Sequence, residues 1–454
     1  MTAVGPDSGA SLTELEAMEN TNRGRQRWRR IVSGAVGAAV FRTVSVVGSL
    51  VTVPLVVREL GDIKYGALIL ITQLSMLLIF ADLGLGNGLV TALSRALAIG
   101  DLERARSLIS STWFLLLSVA IVGGILFASL KTWVPWGQVL GVGAVSEAEV
   151  ANAVSVFAAF FVVGVPVSIA QKIHLARQEG LQAGAWQAFG AILTVVATVL
   201  CVLSSTTLPW YVAAGVGGSV IAGLLNCLWL FYHEPSSRPQ LQLVRAPILR
   251  FIFGSGVLFL VLGIAGAVAY QTDVLVISHL MGGAEVTSYS LGVRLFSIPG
   301  LALSFILAPL WPAFSNAFAL KDYAWARKTM LRTIFIGAMI NIPGSVLLIV
   351  FGRRLIDLWI GEGVVAMPML LLLSLGMWTV LNAVQGPLAM WLNGAHVVKF
   401  QVICAVTMAI SNIGLSIVLT RWVGVAGPVI GTLIAQTLFI TIPSLVYVSR
   451  MWKL

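Results

Sequence analysis

The chain has 454 residues, 58% of them hydrophobic and 10% charged, with a mean hydropathy of +0.96. A water-soluble domain carries about 25% charged residues, so this surface must face lipid. The formal net charge of +10 does not mark a nucleic-acid binder, because its lysines and arginines fall singly or in small groups between apolar runs, as in the loops of membrane proteins.

Residues 1–31 are polar, with Glu14, Glu16 and Glu19 followed by Arg23, Arg25, Arg27, Arg29 and Arg30. Such a segment cannot bury a core and is expected to be a mobile cytoplasmic tail. The apolar run after it is too long for a signal-peptide core. Twelve apolar spans follow, at 32–57, 65–92, 107–130, 149–171, 182–205, 209–232, 249–277, 286–314, 330–351, 365–392, 397–420 and 425–448. Each meets the ~20 residues that a membrane-crossing helix needs. They divide into an N-lobe over 32–233 and a C-lobe over 249–454, joined by a linker at 234–248. An even number of spans puts both termini on one side. That side carries 20 basic residues, Lys172 among them, against 6 on the other, which places both termini in the cytoplasm.

An internal repeat supports the division. Residues 91–109 align without gaps to 312–330, with seven identities, among them Asp101 with Asp322 and Arg106 with Arg327. Upstream, Leu60-Gly61 before Tyr65 likewise resembles Leu280-Met281-Gly282 before Tyr289. Both copies follow the second helix of a six-helix half that starts on the same side, so the repeats are parallel, related by an axis along the membrane normal.

Four charges fall inside spans: Arg42, Asp82, Asp273 and Arg294. Each costs about 2.5–3.5 kcal/mol at a helix centre, so they must face protein or water. Arg42 and Asp82 share one depth and Asp273 and Arg294 another, which suggests one Arg–Asp pair in each lobe. On this reading Arg42 and Arg294 attract an anionic substrate, and Asp82 and Asp273 carry a coupling H+ or Na+. A purely structural role, neutralising each other between helices, is the alternative. Gln271, Asn382, Gln385, Trp378 and Trp391 are further candidates for the cavity, with helix packing as their commoner role. Pro309-Leu310-Trp311-Pro312 is the expected flexing point.

Other chemistry is not indicated. Cys201, Cys227 and Cys404 are isolated in apolar runs, and the four histidines form no ligand cluster. The Gly84-Leu85-Gly86-Asn87-Gly88 stretch follows no strand, and no GxxxxGK[ST] occurs. The chain is therefore expected to need no cofactor and to use an ion or substrate gradient instead of ATP. No nucleophile–base or paired-carboxylate set argues for an enzyme.

Four stretches carry a family resemblance. RELGDIKYGALILITQLSMLLIFADLGLGNGL at 58–89 resembles the first loop and second helix of bacterial polysaccharide-lipid flippases, as does the following ALAIGDLERARSLIS. QTDVLVISHLMGGAEVTSYSLGVRLFSIPG at 271–300 resembles their seventh and eighth helices, and 391–436 their C-terminal module. These are the O-antigen (Wzx-type) flippases of the multidrug/oligosaccharidyl-lipid/polysaccharide exporter superfamily. The resemblance implies an all-α, MATE-like fold of two six-helix lobes around a central cavity in the bacterial inner membrane. It implies a polyprenyl-pyrophosphate-linked oligosaccharide as substrate, and a polymerase and glycosyltransferases as pathway partners in O-antigen or exopolysaccharide synthesis. A multidrug exporter of the same superfamily is the nearest rival; a membrane enzyme or an assembly scaffold is more distant.

Overall fold

The computed structural model describes residues 12–73, 82–131, 133–139, 145–281, 283–360 and 367–451. Among them are fifteen α-helices and no strand. The first half holds α1 (Leu12–Gln73), α2 (Leu85–Ala98), α3 (Leu102–Leu130), the short α4 (Trp136–Val139), α5 (Glu147–Val167), α6 (Ile169–Ala176), α7 (Gly180–Leu203) and α8 (Leu208–His233). The second holds α9 (Ala246–Leu280), α10 (Gly283–Ala319), α11 (Tyr323–Ile360), α12 (Met369–Gly394), α13 (Val398–Val423), α14 (Gly427–Gln436) and α15 (Ile442–Met451).

Ten stretches of the described residues are long and apolar enough to cross a membrane. The last of them, Val398–Met451, turns back at Gly424 (φ 70°), so it holds two passes. The expected span 65–92 runs over residues 74–81, which lie outside the described residues. The chain is a multi-pass membrane protein. The segment expected to be a mobile tail is helical from Leu12. Its Arg27 is 5% exposed, bonded to Asp322 Oδ2 at 2.6 Å and Asn316 Oδ1 at 2.9 Å, with its guanidinium over the Trp325 ring. An ion pair with a second half of the molecule holds what composition alone would leave loose.

Local sequence sets the helix ends. Asp101 Oδ1 accepts the Arg104 N–H at 3.0 Å, and Asp322 Oδ1 accepts the Trp325 N–H at 3.2 Å. Pro209, Pro247 and Pro428 occupy first turns, where no backbone donor is missed.

The repeat read from 91–109 and 312–330 is present in the backbone. Gly100 (φ 74°) and Lys321 (φ 59°) occupy the same left-handed position, 221 residues apart, each just before the capping aspartate. The turn hydrogen bonds match one for one: Asp101 N–H to Ala96 O, and Asp322 N–H to Ala317 O. A second matched pair of turns, absent from the sequence alignment, joins α6 to α7 and α12 to α13. There Gln178 (φ 61°) and His396 (φ 63°) correspond, 218 residues apart, and the register is kept: the Glu179 N–H donates to His174 O where the Val397 N–H donates to Leu392 O.

Within the first half α1 packs on α7, α7 on α8, and α8 on α5; in the second, α9 packs on α13 and α10 on α12. The α1–α7 contact is backbone against backbone. A Cβ on Gly184 would lie 2.3 Å from the Gly37 carbonyl carbon, so only glycine permits this approach.

The halves meet along a seam at the end of the bundle that carries both termini, where Ile31, Leu310, Phe314 and Val448 share one core. Across it Trp311 Nε1 donates to Thr91 Oγ1 at 3.0 Å and Ser315 Oγ to Thr91 O at 3.0 Å. Val90, Phe259 and Trp311 form a buried cluster beside them. The Pro309–Pro312 stretch is thus part of the seam, inside a helix that runs unbroken from Gly283 to Ala319. The bonds of Arg27 to Asn316 and Asp322 and those of Thr91 to Trp311 and Ser315 all join the halves at this terminal end.

Candidate functional site

Each half contains a cavity. The first-half cavity is about 700 Å³ and lies between α1, the α5–α6 pair, α7 and α8, with the start of α2 at its edge. Ser45, Ser49 and Thr52 line it from one face of α1, at the spacing that brings residues together on a helix. Gln171, Trp186 and Asn226 face it from the other helices. Its charged groups are Asp82 and Lys172. Lys172 Nζ donates to Asn87 Oδ1 at 3.0 Å and lies within electrostatic reach of Asp82. Asp82 Oδ1 in turn accepts the Gly84 N–H at 2.9 Å and so also holds the turn ahead of α2.

The second-half cavity is about 330 Å³ and is lined by Tyr270, Asp273, Tyr289, Arg294, Trp378 and Thr432, among others. Asp273 is 2% exposed. Its Oδ1 accepts from Ser416 Oγ at 3.0 Å and Asn412 Nδ2 at 3.3 Å, and its Oδ2 from Thr432 Oγ1 at 3.1 Å and the Tyr289 hydroxyl at 3.2 Å. Four neutral donors surround the carboxylate, and among the described residues no basic group lies within 4 Å of it. Beside it Gln436 Oε1 accepts from Trp378 Nε1 at 3.1 Å, while Gln436 Nε2 donates to Asn382 Oδ1 at 2.9 Å. A π-helical turn, Thr437–Thr441, begins at the next residue.

The pairing expected from depth is not formed. Arg42 is exposed on α1 with its guanidinium 5.9 Å from the Phe305 ring centroid on α10, across the seam, and does not line the Asp82 cavity. Arg294 shares the Asp273 cavity, yet among the described residues neither arginine has a carboxylate within 4 Å. Depth along a helix is readable from sequence, but the direction a side chain leaves the axis depends on how the helices are turned. Of the amides, Asn382 is in the Gln436 network, and Gln385 is half-buried with its Oε1 unpartnered. The Gln271 side chain lies outside the described residues. Trp378 lines the second cavity, whereas Trp391 is 2% exposed in the terminal-end core. Lys172, counted above as a loop cation, is instead in α6 and turned inward. That lysine, and the hydroxyl and amide partners of Asp273, are the groups sequence reasoning missed.

The fold defines the class. The structure is similar to that of MATE in the straight conformation, with a TM-score of 0.79, 16% identity, and coverage of 94% of this chain and 97% of that one. It is equally similar to an outward-facing multidrug resistance MATE family transporter of the MOP superfamily (TM-score 0.78, 17% identity, 94% and 96% covered). A MOP superfamily transporter from Pyrococcus furiosus, described as having a binding pocket of reverse polarity, gives 0.79, 17%, and 94% and 95%. The sequence matches the polysaccharide biosynthesis protein family over residues 36–318 and the MatE family over 261–418. The chain therefore belongs to the polysaccharide biosynthesis protein family. No curated protein sequence matches it significantly.

Proposed function

We propose that the protein is a secondary transporter that moves a polyprenyl-pyrophosphate-linked oligosaccharide from the cytoplasmic to the outer leaflet of the bacterial inner membrane. The observation that carries this reading is the seam: two repeated halves whose hydrogen bonds to each other, among the described residues, gather at the terminal end, each half with a charged cavity. Two such bodies, the lobes 32–233 and 249–454, can rock about a central space and open it to either side in turn. With Lys172 turned inward, 19 loop and terminal basic residues on the terminal side against 6 on the other support a cytoplasmic terminal end.

The exposed arginines Arg42 and Arg294 attract the pyrophosphate, for which a guanidinium fork is suited. Asp273 takes up the coupling H+ or Na+. A buried carboxylate held by the hydroxyls of Ser416, Thr432 and Tyr289 and the amide of Asn412, with no basic partner among the described residues, is a place where a small cation balances a charge that hydrogen bonds alone do not. The MatE match over 261–418 favours one second reading, export of another amphiphile. Proteoliposomes bearing an imposed Na+ or proton gradient separate the two. A fluorescent polyprenyl-pyrophosphate glycan should cross the bilayer in the presence of the protein; transport of a cationic dye with no movement of the glycan would overturn the flippase reading.

A further inference from the structure

Lys172 sits where a lysine ordinarily reaches water. It is four residues, about 6 Å, from the terminal end of α6, close enough for its stem to carry the ammonium out to the surface. It does the reverse. The ammonium bonds Asn87, which lies eleven residues, about 16 Å, from the terminal end of α2. The side chain thus runs away from the near surface and into the interior of the first half. A charge held there is costly unless something uses it.

The route of the stem is built into the sequence. A Cβ at Gly86 would lie 2.7 Å from Lys172 Cε and 2.8 Å from Asp82 Oδ2. Any side chain at that position would push the lysine aside. The ammonium then fronts a cavity of about 700 Å³, within the size range of small-molecule sites. Hydroxyls and amides dominate its polar lining: Ser45, Ser49, Thr52, Gln171, Gln187 and Asn226, with the Trp186 ring. A compact cation, many neutral hydrogen-bonding groups and one flat ring match a phosphate joined to a sugar. The Asp82 carboxylate lies within electrostatic reach of Lys172, on the same cavity.

We infer that the first-half cavity is a subsite for the phosphate-bearing headgroup of a lipid, with Lys172 as its cation and Gly86 as the residue that lets Lys172 reach it. This rests on the flippase reading above and adds a place, inside the first half, that Arg42 at the seam and Arg294 in the second-half cavity do not supply.

The test uses the full-length protein in nanodiscs and three probes: a polyprenyl pyrophosphate, the matching polyprenol, and inorganic pyrophosphate. Wild type should bind the polyprenyl pyrophosphate more tightly than the polyprenol. Lys172→Gln should weaken the pyrophosphate lipid by about tenfold or more, the range of a charge-assisted bond, and leave the polyprenol unchanged. Lys172→Gln combined with Asp82→Asn, which strands no charge, should show the same loss. Gly86→Ala should weaken the pyrophosphate lipid with both charges still present. Equal affinity in wild type and the double variant overturns the subsite and leaves the flippase reading standing. Failure of wild type to bind either lipid removes both. Competition by inorganic pyrophosphate at the same concentration as the lipid makes a free anion the ligand and overturns the lipid assignment.

Discussion

The two halves share a backbone and differ in their chemistry. The register of the Gly100 and Lys321 turns sets Thr52 of the first half at the place of Asp273 in the second. The register of the Gln178 and His396 turns sets Thr194 and Thr198 at the places of Asn412 and Ser416, and Met390 at the place of Lys172. So the oxygen cluster of the second half has a counterpart without a carboxylate, and the lysine of the first half has a counterpart without a charge. The packing differs in the same way. Gly37 and Gly184 bring α1 and α7 into backbone contact, whereas Leu258 and Val402 stand at those places in α9 and α13 and pack as side chains. Duplicated scaffolds keep turns and caps, which any two copies need, while the side chains facing each cavity are free to specialise. Each cavity holds one acid and one base, but Lys172 and Asp273 have uncharged residues, Met390 and Thr52, at the matching places.

The largest effect expected from this asymmetry is on ion coupling. Asp273→Asn keeps the size of the side chain and should reduce gradient-driven flux in proteoliposomes to the level of protein-free vesicles. Thr52→Val at the matching place should leave most of it. Equal losses would mean the halves are not divided as described. Next is packing. Gly184→Val should destabilise the protein by about 1–3 kcal/mol, because the side chain has no room to enter, and lower the melting temperature in detergent. Val402→Ala at the corresponding place in the second half leaves a small void and should cost less than a buried Leu→Ala, for which about 2–5 kcal/mol is usual.

A smaller effect is expected at the seam. Trp311→Phe removes one hydrogen bond between the halves, worth about 1 kcal/mol. A change of that size shifts a two-state equilibrium by roughly fivefold. Distances between spin labels at Leu97 and Leu320 should broaden toward longer values; an unchanged distribution would show that the bond does not hold the terminal end shut. The smallest concerns the matched turns themselves. Burial, and then the charge of Arg95 from the other half, hold His396 below the ordinary histidine pKa. The unfolded chain therefore binds a proton there first. His396 contributes stability above about pH 6.5, the unfolded value, and that contribution is lost as pH falls toward its folded pKa. His396→Asn, which tolerates the left-handed backbone, should flatten the fall of melting temperature with acidification, and the non-titrating Gln178 should show no such slope when replaced by Asn.

The apolar runs made the all-helical, multi-pass architecture legible, and Asp101 and Asp322 made one pair of turns legible because a capping aspartate is a local requirement. The second pair was hidden. Gln178 and His396 share a backbone angle and no chemistry, and an alignment compares chemistry. Asp273 stood out as an acid in an apolar run, but its partners Asn412 and Thr432 are 139 and 159 residues away, and nothing local announces them. Lys172 was misplaced for a plainer reason. A basic residue near the end of a span normally marks a loop, and only the missing side chain at Gly86, a fact of tertiary packing, sends it inward.

The first helix runs as one rod from Leu12 to the bend at Gly61. Its outer turns are bolted to the opposite half through Arg27 and Asp322, while its middle lies in backbone contact with α7. The halves cannot swing apart at the termini unless that rod flexes or lets go. The N-terminal turns are thus a handle on the closed state, and whatever grips them from the water side governs how readily the protein opens.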